Sequence, residues 1–206
     1  MVISLDKLIQ QYKLQINGVI HIGANDAKEY KDYVKAGIPN MMFFEPIQDN
    51  YKRLVASLPK QPNIRTYNLA LGNEMKEVEM FVETVNCGQS CSILEPLKHL
   101  EQYPKIVFDK KETVRMIRLD HIPFNRDLYN MINIDVQGYE LEVFKGAENT
   151  LPFIDIIYSE INIEEMYKNC VRLTELDLFL RDYEFTRVAI DTHNKTWGDA
   201  LYLKQK

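Results

Sequence analysis

Four polar clusters, each directly behind an apolar run, hold the side chains of this sequence that could act together in chemistry. Gly23-Ala24-Asn25 follows "VIHI", Glu45-Pro46 follows "MMFF", Asp135-Val136-Gln137 follows "MINI", and Glu160-Ile161-Asn162 follows "IIYS". Any one carboxylate in such a place is ordinarily a helix cap or the polar start of a loop. Four clusters on one rim of one sheet point to a site, because ligands of open parallel sheets bind outside the carboxyl ends of the strands. Glu45 stands about two dozen residues past the Gly23 turn, where an acidic side chain accepts hydrogen bonds from ribose hydroxyls. Asp135 and Glu160 are candidates for taking a proton at the mouth of such a site, with His193 a more remote third.

The turn itself narrows the ligand. Gly23 is its one glycine, Ala27 stands where a later glycine would be wanted, and the loop carries no Arg or Lys. A pyrophosphate needs several glycines so that the backbone can approach it. A nucleoside without phosphates fits better, and S-adenosylmethionine is one: ribose for Glu45, adenine for an apolar slot beside the third strand, and an amino-acid tail near Gly23. A nicotinamide-dependent oxidoreductase is disfavoured on the same ground, and a non-catalytic binding module of the same fold stays open as an alternative. His21, inside an apolar strand, reads as a satisfied core or rim histidine. Ser90 reads as a turn residue, and Tyr139, Tyr158 and Tyr167 as packing aromatics that could also border an acceptor pocket. Cys87 and Cys91 are four apart with no second pair and no nearby His in register, so no metal site is expected.

The elements that must position these residues alternate. A leading helix over 4–15 precedes the strand "GVIHIG", a helix near 26–36 stopped by Gly37 and Pro39, the strand "NMMFFEP", a helix over 47–58, and the strand "NIRTYNLAL". Strand and helix repeating in this way imply parallel strands with crossover helices. A central insert, about residues 76–119, breaks the rhythm. In it "KEVEMFVET" and "TVRMIRLDHI" read as strands, while "KHLEQYPKIVFDK" carries no clear period. The alternation returns with "YNMINIDVQG", the short amphipathic helix "YELEVFKGAENTL", the strand "IDIIYSEIN" and a helix near 172–182. The strands "EFTRVAI" and "DALYLKQ" are separated by too little chain for a crossover, so they should pair antiparallel. Trp197 is expected to be a buried plug.

The bulk properties exclude several classes. The 206 residues fit a single domain, and a net charge of −5 gives no electrostatic footprint for nucleic acid. The amphipathic N-terminus lacks the features of an export leader, and no apolar stretch approaches the roughly 20 residues that span a bilayer. With three cysteines, a reduced, cytoplasmic protein is expected.

"IHIGANDAKEY", "FFEP", "NLALGN", "NIDVQGYELEVFKGAENTL", "IIYSEIN" and "WGDALYLK" together resemble the FkbM family of S-adenosylmethionine-dependent methyltransferases, from about residue 16 to the C-terminus. The most specific stretch is "IDVQGYELEVFKGAE". The resemblance implies an α/β, Rossmann-like class I fold, doubly wound, with a mostly parallel seven-stranded sheet whose last strand is antiparallel. It also implies O-methylation of a hydroxyl on a sugar or other small metabolite, so the expected partner is a small-molecule or glycan acceptor. His21, Gly23, Ala24 and Asn25 then look like the cofactor-tail turn, and Glu45 with Pro46 like the ribose segment. Asn68, Ala70 and Leu71 look like the adenine segment, and Asp135, Gln137 and Gly138 like the motif between cofactor and acceptor. His21 departs from the commoner Asp, and Gln137 from the more usual Glu.

Overall fold

The apolar run at Gly18 has no wet face: all five residues of β1 (Gly18–Ile22) are buried, as a strand covered by helices on both sides requires. The computed structural model describes residues 3–205, so Met1 and Val2 lie outside it. Val19 faces one apolar layer and Ile20 and Ile22 the other, the period of two that a pleated strand imposes. One layer joins Val19, Met41 and Phe43 to Leu5, Leu8, Tyr33 and Leu54. These come from helices α1 (Leu5–Tyr12), α2 (Tyr30–Lys35) and α3 (Gln48–Ser57). The opposite layer joins Ile20, Met42 and Ile132 to Val143, Phe144, Leu176 and Leu180. These belong to α5 (Glu140–Lys145) and α6 (Leu173–Arg181), which follow the short α4 (Lys98–Gln102) in the chain.

Seven strands form the main sheet. β2 (Asn40–Phe44) and β7 (Met131–Ile134) flank β1 in parallel, β3 (Ile64–Tyr67) lies outside β2, and β8 (Ile156–Asn162) lies beside β7. The hairpin of β9 (Phe185–His193) and β10 (Trp197–Lys204) completes the sheet in the order β3-β2-β1-β7-β8-β10-β9. β10 runs antiparallel to both neighbours, slotted between β8 and β9. The short connection that ruled out a crossover therefore delivers the one reversed strand. The sheet is the α/β, mostly parallel, doubly wound arrangement expected of class I methyltransferases. Ahead of the insert, β4 (Ala70–Leu71) joins the insert's β5 (Lys76–Val82) and β6 (Lys110–Ile117) in a separate three-stranded sheet in the order β4-β6-β5.

Three local readings differ from the structure. The helix expected from residue 26 begins at Tyr30, because Asn25 (φ 47°) and Ala27 (φ 58°) take left-handed conformations that a right-handed helix cannot hold. Two successive turns occupy the gap, closed by Ala27 N–H on the Ala24 carbonyl (2.7 Å) and Tyr30 N–H on the Ala27 carbonyl (3.0 Å). Lys28 thus sits in the loop that was expected to lack a cation. The strand "NIRTYNLAL" breaks in two: the Asn68 amide donates to the carbonyls of Glu45 (2.9 Å) and Pro46 (2.8 Å), and the chain crosses from the large sheet to the small one. The unassigned insert segment contains α4, one short turn of helix anchored on the Met166 carbonyl through Leu97 and His99 N–H groups.

The α6 layer gives a stability test. Leu180 is fully buried, whereas Leu178 on the same helix is 57 % exposed. Leu180→Ala should cost about 2–5 kcal/mol in urea unfolding followed by circular dichroism, while Leu178→Ala should stay within about 0.5 kcal/mol of the parent. Equal losses would contradict the assigned helix face.

Candidate active site

The carboxyl ends of β1, β2, β7 and β8 converge on a cavity of about 420 Å³, within the range of small-molecule sites. Its back corner is set by Gly23 (φ 80°), where an added Cβ would fall 1.8 Å from the Asp135 carbonyl oxygen. No other residue lets the ends of β1 and β7 meet this closely. The N–H groups of Gly23 and Ala24 both donate to the Phe44 carbonyl (3.0 and 2.9 Å), so the turn is tied to β2 as well.

Glu45 is buried at the end of β2 and bridges the two loops. One carboxylate oxygen accepts from Asn25 N–H (2.9 Å); the other accepts from Ile47 N–H (2.8 Å) and from the Asn50 amide (3.4 Å). Burial pushes its carboxyl up to about 7, against the pull of those two backbone N–H groups. A carboxylate has about four lone-pair positions, so Glu45 retains capacity for a ligand hydroxyl. Pro46, Ala70 and Leu71 line the same end of the cavity with Leu69 and Met80. The Asn25 amide oxygen lies there without a hydrogen-bond partner. An apolar slot beside a buried acidic group, joined by a glycine turn carrying an orphaned amide oxygen, fits an adenosyl group with an amino-acid tail.

On the opposite wall, Gln137 (φ 55°) holds two carboxylates together. Its side-chain N–H₂ donates to Asp135 (2.7 Å) and to both oxygens of Glu160 (3.0 and 2.9 Å). Its side-chain oxygen accepts from the Tyr167 hydroxyl (2.6 Å), and Ser92 Oγ donates to its backbone carbonyl (2.8 Å). Asp199, opposite Glu160 in the β8–β10 register, accepts from the Tyr158 hydroxyl. Desolvation and then mutual repulsion push the Glu160 carboxyl well above the usual range. Asp135 is also pushed up, by desolvation and by Asp199, and it opens onto the cavity. A Glu at position 137 would put a third carboxylate here in place of the side-chain amide that donates to both. Gln137 instead gives both carboxylates a neutral donor.

Several expected residues occupy other roles. His21 lines the floor, buried and neutral. Tyr33 O–H contacts its Nδ1 (3.2 Å) and accepts from the Asn133 amide (2.6 Å), and burial lowers the imidazole to about 4. Asn68 does not reach the cavity, its amide being spent on the Glu45 and Pro46 carbonyls. Gly138 (φ 98°) stands behind the wall, where a Cβ would lie 2.6 Å from the Cys170 Cβ. Trp197 is half-buried at the start of β10 and lines the cavity, its indole N–H donating to the Tyr103 hydroxyl (2.8 Å), so it is not a plug. Tyr158 is tied to Asp199, and Tyr167 to Gln137 and the Ser90 carbonyl. His193 reaches the same cavity.

The wall also contains residues that the strand-end pattern passed over. His99 and Tyr103, from the insert segment without a clear period, line the cavity. Asn162 was visible as part of a strand end, and its place two residues beyond Glu160 puts it on the same face. Cys87 is exposed and Cys91 buried. Among the described residues, no group of three or more His, Cys, Asp or Glu side chains could hold a metal ion, and no helix is long and apolar enough to cross a membrane.

Comparison with known proteins bears on these features. The methyltransferase FkbM domain matches residues 21–186. The 2-O-methyltransferase NoeI of Sinorhizobium fredii (strain NBRC 101917 / NGR234) is 25% identical over 174 residues, spanning 81% of this chain and 72% of that protein. Among solved structures, magnesium protoporphyrin IX methyltransferase from Synechocystis PCC 6803, with bound SAM, superposes with a TM-score of 0.56 at 8% identity over 97% of this chain and 76% of its own. A SAM-dependent methyltransferase from Aquifex aeolicus gives a TM-score of 0.53 at 10% identity over 96% and 88%. The two structures share the fold. The domain match covers most of the chain, including the Gly23 turn, Glu45 and the Asp135–Gln137–Glu160 wall, and the chain belongs to the FkbM family of S-adenosylmethionine-dependent methyltransferases.

Proposed function

We propose that the chain transfers a methyl group to a hydroxyl of a sugar or another small metabolite. The observation that carries this is the pair Asp135 and Glu160, held by one amide on the wall facing the Glu45 end of a single cavity. The 25% identity to a 2-O-methyltransferase supports an oxygen acceptor. S-Adenosylmethionine supplies a methyl group already activated by its positive sulfur. The chain's own residues then have three tasks: to hold the donor, to hold the hydroxyl in line with it, and to take the hydroxyl proton.

Glu45 accepts the ribose hydroxyls, while Pro46, Ala70 and Leu71 bound the adenine slot. The turn at Gly23, Ala24 and Asn25 takes the amino-acid tail, with His21 as a neutral floor beneath it. Asn68 shapes this end indirectly by fixing the Glu45 and Pro46 carbonyls. Asp135, which opens onto the cavity, receives the acceptor proton. Desolvation and the neighbouring Asp199 keep the basicity of Asp135 high, and Gln137 and Gly138 hold Asp135 and Glu160 in place through the tight turn after β7. A carboxylate whose affinity for protons is raised above the ordinary range is a stronger base toward an alcohol.

Two measurements test these roles. Ribose hydroxyls donate to the ionised form of Glu45, so affinity for S-adenosylhomocysteine should climb as pH rises through about 7 and level off above it. Glu45→Gln should weaken binding about ten- to hundredfold, the worth of hydrogen bonds to a charged group, and flatten that pH profile in calorimetry. Unchanged affinity would remove the ribose assignment. For the base, Asp135→Asn should lower kcat/KM by about 10²–10⁴-fold. The parent's acid limb should lie above the ordinary carboxylate range, with activity lost as pH falls and the base becomes protonated. Glu160→Gln should reduce activity by less than Asp135→Asn, because it removes the negative charge beside the base but leaves Asp135 itself in place. Full turnover in both variants would end the acid–base proposal.

A further inference from the structure

Beyond the carboxylate pair, the far end of the cavity presents an ordered row of side chains. Register places Asn162 opposite Trp197 and Trp197 opposite His193, so one residue from each of β8, β10 and β9 stands side by side on one face. The adjacent row toward the sheet contains Glu160 and Asp199. Trp197 and His193 have ring centroids 5.2 Å apart at 37°, forming a continuous aromatic surface. Across the cavity, His99 and Tyr103 come from α4 and its C-terminal cap, with ring centroids 5.1 Å apart. The bond from Trp197 to Tyr103 ties the two sides together and fixes the indole orientation.

Two polar atoms at this end lack partners. The Asn162 side-chain nitrogen is buried without a hydrogen bond, on a residue only 2% exposed that lines the cavity. His99 Nδ1 is likewise unpaired, while its Nε2 lies 3.1 Å from Ser90 Oγ. Buried groups left in this state cost free energy unless a ligand meets them. The occupant must therefore offer oxygen acceptors to Asn162, hydroxyl donors to the carboxylates, and an apolar face to Trp197. An ammonium ion lacks the acceptors. A phosphate meets Asp135, Glu160 and Asp199, and among the described residues the Lys or Arg lining the cavity is Lys28, in the loop after the Gly23 turn at the donor end. A neutral pyranose ring has all three features, since its C–H face stacks on an indole and its hydroxyls both donate and accept.

We infer that Asn162, Trp197 and His193, faced by His99 and Tyr103, form the acceptor subsite, and that it takes an unphosphorylated hexopyranose ring. This rests on the methyl-transfer reading of the same cavity and specifies its acceptor end.

The test is saturation-transfer NMR on the full chain saturated with S-adenosylhomocysteine. The probes are the methyl glycosides of glucose, galactose, mannose and fucose, with glucose 6-phosphate and catechol as competitors. At least one neutral glycoside should show ring-proton transfer, and glucose 6-phosphate none. Trp197→Ala and Asn162→Ala should each weaken that glycoside at least tenfold, with affinity for S-adenosylhomocysteine within about twofold of the parent. Trp197→Phe keeps the aromatic face without the N–H bond and should restore most of the binding, separating a stacking role from a folding defect. Transfer to catechol alone, to glucose 6-phosphate, or to no glycoside would overturn the subsite, as would undiminished glycoside binding in Trp197→Ala. Failure to bind S-adenosylhomocysteine at all would instead overturn the reading beneath it, and the subsite with it.

Discussion

The carbonyl of Asp135 lies where a Cβ on Gly23 would be, so the carboxyl ends of β1 and β7 can approach only because residue 23 carries no side chain. That approach brings two chemistries into one cavity. On one side stand the Gly23 turn and Glu45; on the other stands the carboxylate pair that follows β7 and β8. Had the strand ends been held one side chain apart, the Gly23–Glu45 end and the carboxylate wall would have separated by the thickness of a methyl group, more than the proposed in-line transfer between them tolerates. The turn is secured from the β2 side too, since both its N–H groups share the Phe44 carbonyl.

The second constraint is electrostatic. Asp135, Glu160 and Asp199 line one cavity, where burial and Asp199 raise the proton affinity of Asp135, and burial with Asp135 and Asp199 nearby raises that of Glu160. Such crowding destabilises the folded chain and is tolerated where function needs it. The structure limits the cost with neutral donors: the Gln137 amide serves Asp135 and Glu160, and the Tyr158 hydroxyl serves Asp199. Neutral donors hold the carboxylates without lowering their basicity as strongly as an Arg or Lys would. Gln137 is itself held by Tyr167 and Ser92, so the geometry of the pair depends on the segment between β5 and α4.

That segment ties both ends of the cavity to the small sheet. Glu83, buried at the end of β5, accepts from the N–H groups of Val85, Asn86 and Gln89 and so fixes the loop that carries Ser90 and Cys91 to the wall. The Cys87 carbonyl of the same loop accepts from the Asn25 amide and from Arg53. Donor turn, insert loop and carboxylate wall are thus one hydrogen-bonded unit rather than three independent attachments to the sheet.

Much of this was legible from local pattern. The buried parallel strands, the reversed last strand, the rim of strand ends, and the positions of Glu45, Asp135 and Glu160 follow from periodicity, connection length and the rule that ligands bind at strand carboxyl ends. These are short-range properties, carried by neighbouring residues in the chain. What failed was also local in appearance but decided elsewhere: Asn25 and Ala27 left the helix for left-handed turns, Asn68 turned its amide onto the β2 end, and Trp197 lined a cavity when a plug was expected. His99 and Tyr103 carry no strand-end signature; long-range bonds bring them to the site, from the Leu97 and His99 N–H groups to the Met166 carbonyl and from Trp197 to Tyr103. The sequence by itself determined the order and direction of the elements and the chemical types along their ends, because hydrophobic period and loop length act within a few residues. Which of those ends share one cavity, and whether a polar atom there finds a partner, was decided by tertiary structure alone, because hydrogen bonds and close backbone approach depend on distances between segments far apart in the chain.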